Sequence, residues 1–154
     1  MDPRSPATAE ILRQQMELGQ RMFTETLEAR RTLAEIGSVQ KQLSELDEKL
    51  GEANPTLKAA LTVARSEIAE ILAKKDTATA GGGLQSGYAD LASALRVVEG
   101  GDRAVPSQAM AVYVESSRRI KEGIAEWASF KQTELPPLNQ RLRETNLAPL
   151  AISD

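Results

Sequence analysis

The sequence contains no cysteine and no histidine. Their joint absence removes disulfides, thiolate and imidazole metal sites, and every nucleophile system that relies on a cysteine or on a histidine base. Aromatic residues make up only 3% of the chain, and no cluster of aromatic and β-branched residues marks a strand. No apolar run approaches the roughly 20 residues that a spanning helix needs, and no charged-then-apolar signal segment opens the chain. A net charge of -3 supplies no basic field for a phosphate backbone. These absences leave an all-α reading with no nucleic-acid partner, no membrane insertion, no metal and no cofactor.

What is present is helix-forming: Ala, Leu, Glu, Gln, Lys and Arg dominate, and 154 residues are enough to bury one modest core. From about Thr8 to Leu50, apolar or small residues recur in steps of three and four. The row runs through Leu12, Met16, Gly19, Met22 or Phe23, Thr26, Ala29, Leu33, Ile36, Val39, Leu43, Leu46 and Leu50. One amphipathic helix of roughly 60 Å follows, with Gly19 and Gly37 as packing positions on or beside its stripe.

The turn GEANPT closes that helix with Gly51 and opens a second with Asn54 as N-cap and Pro55 at the first helical position. The second helix carries Leu57, Leu61, Ala64, Ile68, Ile71 and Leu72 on one face and ends near Lys74 and Lys75. The stretch DTATAGGGLQSG reads as a flexible loop. A short third helix spans about Tyr88 to Val98, presenting Leu91, Leu95 and Val98. A fourth runs from Pro106 or Ser107 to Leu135, its inner face marked by Met110, Tyr113 or Val114, Ser117, Ile120, Ile124, Trp127 and Lys131. Pro136 and Pro137 kink or end it, and LNQRLRET adds a last helical turn or two. The expected fold is an antiparallel up-and-down four-helix bundle with a long first and a short third helix. Residues 1–6 read as a linker from a preceding domain and residues 7–150 as a single helical domain.

Three stretches resemble something more specific: MDPR before the first helix, YADLASAL after the glycine loop, and ELPPLNQRLRETNLAPL near the end. Together they are similar to the C-terminal helical region of bacterial BNR/Asp-box repeat proteins, sortilin-like β-propellers often classed as glycosyl hydrolases. The resemblance implies a preceding propeller, a small β-sandwich-like segment ending in a Met-Asp-Pro-Arg turn, and an extracytoplasmic, periplasmic or secreted setting. It carries over no catalytic residue, because the Asp-box motifs and any sugar-handling carboxylates belong to the propeller.

Each candidate site has a plainer counterpart. AGGGLQSG lacks the lysine and the strand of a phosphate-binding loop. Glu122 and Glu126, at i and i+4, form a carboxylate pair on paper, but Arg118, Arg119 and Lys121 make them a solvated face. A dimetal carboxylate bundle needs histidine. The pairs Arg30-Arg31 and Arg118-Arg119 read as ordinary surface. Tyr113, Trp127 and Phe130 are either core or a partner surface, with helical spacing favouring core. The expected function is a non-enzymatic helical module for structure or protein interaction, its partner the upstream domains of the same polypeptide or another protein. The alternatives are a free-standing adaptor or a homodimer through the long first helix, and, further off, a carboxylate glycosidase in its own right.

Overall fold

The computed structural model describes residues 8–51, 53–74, 82–101 and 104–152; the expected linker at residues 1–6 lies outside them. The described chain is all-α, with helices α1 (Ala9–Leu50), α2 (Pro55–Ala73), α3 (Leu84–Glu99), α4 (Ser107–Thr133) and α5 (Leu135–Glu144). Four of them pack together, with the first long and the third short as expected, and α5 adds the last turns.

Local chemistry sets most boundaries. Thr8 Oγ1 accepts the Ile11 N–H at 3.3 Å and caps α1. Gly51 ends it with φ 53, a left-handed conformation that glycine adopts without strain. Asn54 Oδ1 accepts the Leu57 N–H at 3.0 Å, and Pro55 sits where a missing N–H leaves no helical bond unmade.

The buried face of α1 runs through Leu18, Met22, Ala29, Thr32, Ile36, Val39, Leu43, Leu46 and Leu50. Towards the N-terminus this line lies one notch round the helix from the expected row: Met16 is 59% and Phe23 53% exposed. Gly19 and Gly37 are not packing positions either, since a Cβ on either would meet nothing within 4 Å.

The glycine-rich stretch departs from expectation in the opposite sense. The helix begins at Leu84 rather than Tyr88, and glycines on both sides of the joint, Gly83 and Gly87 in the stretch and Gly123 on α4, serve close approach. A Cβ on Gly83 would fall 2.5 Å from the Ile71 carbonyl oxygen, one on Gly123 would fall 2.7 Å from Leu84 Cβ, and one on Gly87 would press on Arg119 and Ile120. The first turn of α3 is thereby wedged between the end of α2 and the middle of α4. The inner face of α4 is Ala109, Ser116, Ser117, Ile120, Gly123, Trp127 and Phe130; Met110 and Val114 point outward. It ends at Thr133, with Pro136 and Pro137 in the first turn of α5.

Contacts between the helices fix their directions. Arg65 reaches back to Asp47 and Ser44, so α2 returns along α1. The Gln15 amide donates to the carbonyls of Val98 and Gly101, placing the end of α3 at the start of α1. Glu25 meets Tyr113 and Lys121, and Glu35 meets Trp127 and Lys131; α4 therefore runs parallel to α1. It follows that α2 and α3 point the same way, in tandem, both antiparallel to α1 and α4. The up-and-down alternation of the expected bundle is therefore not kept between α2 and α3, which together cover one side of the longer α1.

Two substitutions test this packing. Gly37→Ala is expected to raise stability by about 0.5–1 kcal/mol, since it removes backbone freedom at an open helical site. Gly123→Ala is expected to lower it by about 1–3 kcal/mol, because Leu84 must move. Urea denaturation of both variants measures the contrast.

Candidate functional site

Two polar clusters line the seam between α1 and α4. In the first, Glu35 Oε2 accepts from Trp127 Nε1 at 2.9 Å and from Lys131 Nζ at 2.8 Å. Lys131 also stands 5.8 Å from the centre of the Trp127 ring, and Trp127 stacks on Phe130 with centroids 5.3 Å apart. Burial pushes the Glu35 carboxyl up, but the bonds from Lys131 and Trp127 outweigh it and hold the group below its ordinary value. In the second cluster the Tyr113 hydroxyl donates to Glu25 Oε1 at 3.3 Å and Lys121 lies 3.5 Å from the same oxygen. Burial, then the facing Glu25, raises the Tyr113 phenol. Glu25 Oε2 is buried with no hydrogen-bond partner among the described residues.

These placements decide between the two readings of the aromatic residues. Trp127 and Phe130 are buried in the core and offer no surface to a partner. Tyr113 is half-buried and tied to Glu25.

The acidic and basic candidates are paired. Arg118 bridges Glu115 and Glu122, each at 2.7 Å, and Glu126 is bonded to Lys74 at 2.6 Å. Arg119 spans Glu115 and Asp90. The guanidinium groups of Arg118 and Arg119 hold the Glu115 carboxyl down to about 2. Lys74, Arg118, Arg119, Glu122 and Glu126, with Gly83, line a hollow of about 290 Å³ at the start of α3. Its cations face carboxylates at bonding distance, so the hollow is close to neutral. Arg30 and Arg31 are exposed on α1. Among the described residues no three His, Cys, Asp or Glu gather as a metal site, and no helix is long and apolar enough to cross a membrane.

The surface that sequence reasoning missed lies on the outer side of α1. Leu12, Gln15, Met16, Gly19, Gln20 and Phe23 border a shallow groove of about 440 Å³ whose other wall is Val98 and Glu99 at the end of α3. Met16 and Phe23 are exposed on it, and a Cβ on Gly19, between them in sequence, would meet nothing within 4 Å. Their steps of three and four were visible in the sequence, but the same steps run through the buried residues, so spacing alone did not separate outside from inside.

No protein-family model, curated protein or solved structure matches the chain. The resemblance to propeller tails therefore rests on its three short stretches.

Glu35→Gln is expected to cost about 1–2 kcal/mol at neutral pH, through weakened bonds to Lys131 and Trp127. Because the folded carboxyl lies below its ordinary value of 4.5, its charge stabilises the fold above that pH. The contribution disappears as pH falls through the lowered value, and the wild type and variant converge. Glu67 has the opposite sign. Burial and the neighbouring Glu134 and Glu70 raise its carboxyl, so Glu67→Gln is expected to stabilise the fold at neutral pH, with the gain fading as pH falls through the raised value. Thermal melts of the three proteins from pH 3 to 8 check both signs.

Proposed function

We propose that the chain is a non-catalytic helical module that docks on protein, and that it is the appendage of a larger exported BNR/Asp-box β-propeller protein. The groove on α1 carries the docking part of this reading. Large apolar side chains at Met16 and Phe23 remain in solvent beside Val98, while the core is completed without them. A contiguous exposed apolar row with a polar rim is the usual form of an interaction surface. The upstream domains of the same polypeptide are the proposed partner, and the motifs MDPR, YADLASAL and ELPPLNQRLRETNLAPL support that part of the reading.

A carboxylate glycosidase on this chain draws little support from Glu122 and Glu126, each engaged by a cation at 2.6–2.7 Å. Such chemistry calls for two acids facing each other across a cleft. A second reading, a homodimer or adaptor joined through α1, has its own support: Met16, Phe23 and Leu27 follow one another at steps of seven and four on the exposed side of the helix.

The intact mass of the native polypeptide, captured from its source with an antibody against this domain, tests the appendage. A species several times heavier than 16.7 kDa is the expected result, and one at 16.7 kDa overturns it. Phe23→Asp then tests the docking face. It is expected to leave the melting temperature nearly unchanged while releasing the module from the upstream region in proteolysed full-length protein. If light scattering instead shows a dimer of the isolated module that Phe23→Asp dissociates, the α1 homodimer is the correct reading.

A further inference from the structure

We infer that α1 pairs antiparallel with α1 of a second copy of this chain, about a two-fold axis between Gly19 and Gln20; this rests on the homodimer reading above and gives that pair its geometry. The apolar row outside the core is Leu12, Met16, Phe23 and Leu27, the first half-buried and the other three exposed. Its steps are four, seven and four, the same in either direction along the helix. Four and seven are the steps that keep residues on one line of a helix surface. Turned end for end, the row therefore falls on itself. Met16 lies opposite the partner's Phe23 and Leu12 opposite the partner's Leu27, and symmetry makes each of these contacts twice.

The middle of the row is open to such an approach. A Cβ on Gly19 would meet nothing within 4 Å, and with no side chain at that point the two backbones come close where the helices cross. Val98 and Glu99 at the end of α3 wall the row on one side only, which leaves the other side free for a second helix.

Charge selects the antiparallel sense. Arg30 continues the line of Met16 and Phe23 by one more step of seven, is exposed, and has no ion pair among the described residues. Parallel pairing in register would set Arg30 against the partner's Arg30 on the contact line, where like charges repel. Antiparallel pairing sends the two arginines to opposite ends of the contact and brings each to the partner's Ala9. The exposed flank becomes complementary in the same step. Glu28 comes within a turn of the partner's Arg13, and Arg31 within a turn of the partner's Glu10. Glu28 and Arg31 have no ion pair in their own chain among the described residues, while Glu10 and Arg13 are bonded to each other at the surface, so the pair extends that bond at both ends. Docking on the upstream domains would use the same large side chains, so each occupant of the groove excludes the other.

With no natural cysteine in the chain, introduced thiols report the register directly. Arg13 and Thr24 are exposed on the flank that the pair brings together. A copy carrying Arg13→Cys is mixed with one carrying Thr24→Cys and treated with a short bis-maleimide, after thermal melts show both variants folded. Antiparallel pairing sets residue 13 of one chain within about 10 Å of residue 24 of the other. It holds the two copies of residue 13 roughly 20 Å apart along the axis. The expected product, identified by peptide mapping, is a 13-to-24 link between chains, with the 13-to-13 link nearly absent. Phe23→Asp in both copies should abolish it; a link that survives this change comes from collision and overturns the inference. A 13-to-13 link in its place overturns the antiparallel register and leaves the α1 pair standing. A concentration-independent monomer by light scattering, with neither link, overturns the pair and the register together and leaves the groove to the upstream domains.

Discussion

A 42-residue helix has to be covered along its apolar stripe, and no other helix among the described residues is long enough to do so. At 1.5 Å per residue α1 extends roughly 63 Å, against roughly 40 Å for α4. The cover is assembled from pieces: α2 followed by α3 on one side and α4 on the other, while α5 follows α4 but lies along α2. Each joint is a break in a rod, and a break exposes helix ends and leaves a gap. The two joints are staggered. The first, at Gly83, lies against the unbroken middle of α4 at Gly123. The second, at Glu134, lies beside the continuous α2 at Glu67. Beyond α5 the chain returns to α1, where Leu150 is buried and Gln42 bonds both the N–H and the carbonyl of Ala151.

Apolar stripes alone would let two parallel helices slide past each other by a turn at modest cost, since leucines and alanines pack in more than one register. The polar seam of α1 and α4 makes such a slide expensive. Glu25 and Glu35 are ten residues apart and meet two separate groups of partners on α4. A shift of one turn would leave a half-buried carboxylate, an indole N–H and a lysine without their bonds. The seam has a cost even when aligned, because Glu25 Oε2 is buried without a partner. Trp127 contributes twice here, as the largest fully buried side chain and as a donor to Glu35.

The parts of this fold legible in the sequence are those governed by neighbours along the chain. Asn54-Pro55 after Gly51 marks a turn through capping chemistry that needs nothing distant. The C-terminal half of α1 was legible too, since Ile36, Val39, Leu43, Leu46 and Leu50 offer a single row of large residues. In the N-terminal half Met16 and Phe23 compete with Leu18 and Met22 for the same periodicity, and only the position of α3 decides between them. Glycines were misread in both directions for one reason. A missing Cβ signals freedom or crowding according to what stands opposite, which is open solvent at Gly37 and the carbonyl of Ile71 at Gly83. The run DTATAGGGLQSG therefore read as loose connector where its last residues form a close-packed joint. The side-chain amides of Gln42 and Asn139, which bond the main-chain N–H and carbonyl of Ala151 and Leu150 respectively, follow no periodicity and left no signal in the sequence. Among the candidate site residues, the pairing of Glu122 and Arg118 was readable from i,i+4 spacing, whereas that of Glu126 with Lys74 needed the fold.

The same shift of the stripe separates stability from surface chemistry on α1. Leu18 and Met22 are buried, so the helix is anchored through residues that do not line the outer groove. Met16 and Phe23 add apolar area that folding does not remove from water, and an exposed phenylalanine beside an exposed methionine gains nothing for the core. Gly19, also on the groove, gives up helix propensity that alanine would supply without any clash. Each of these three choices is neutral or unfavourable for an isolated bundle. All become favourable once a further surface lies on the groove, where the two large side chains are buried and the glycine admits close approach.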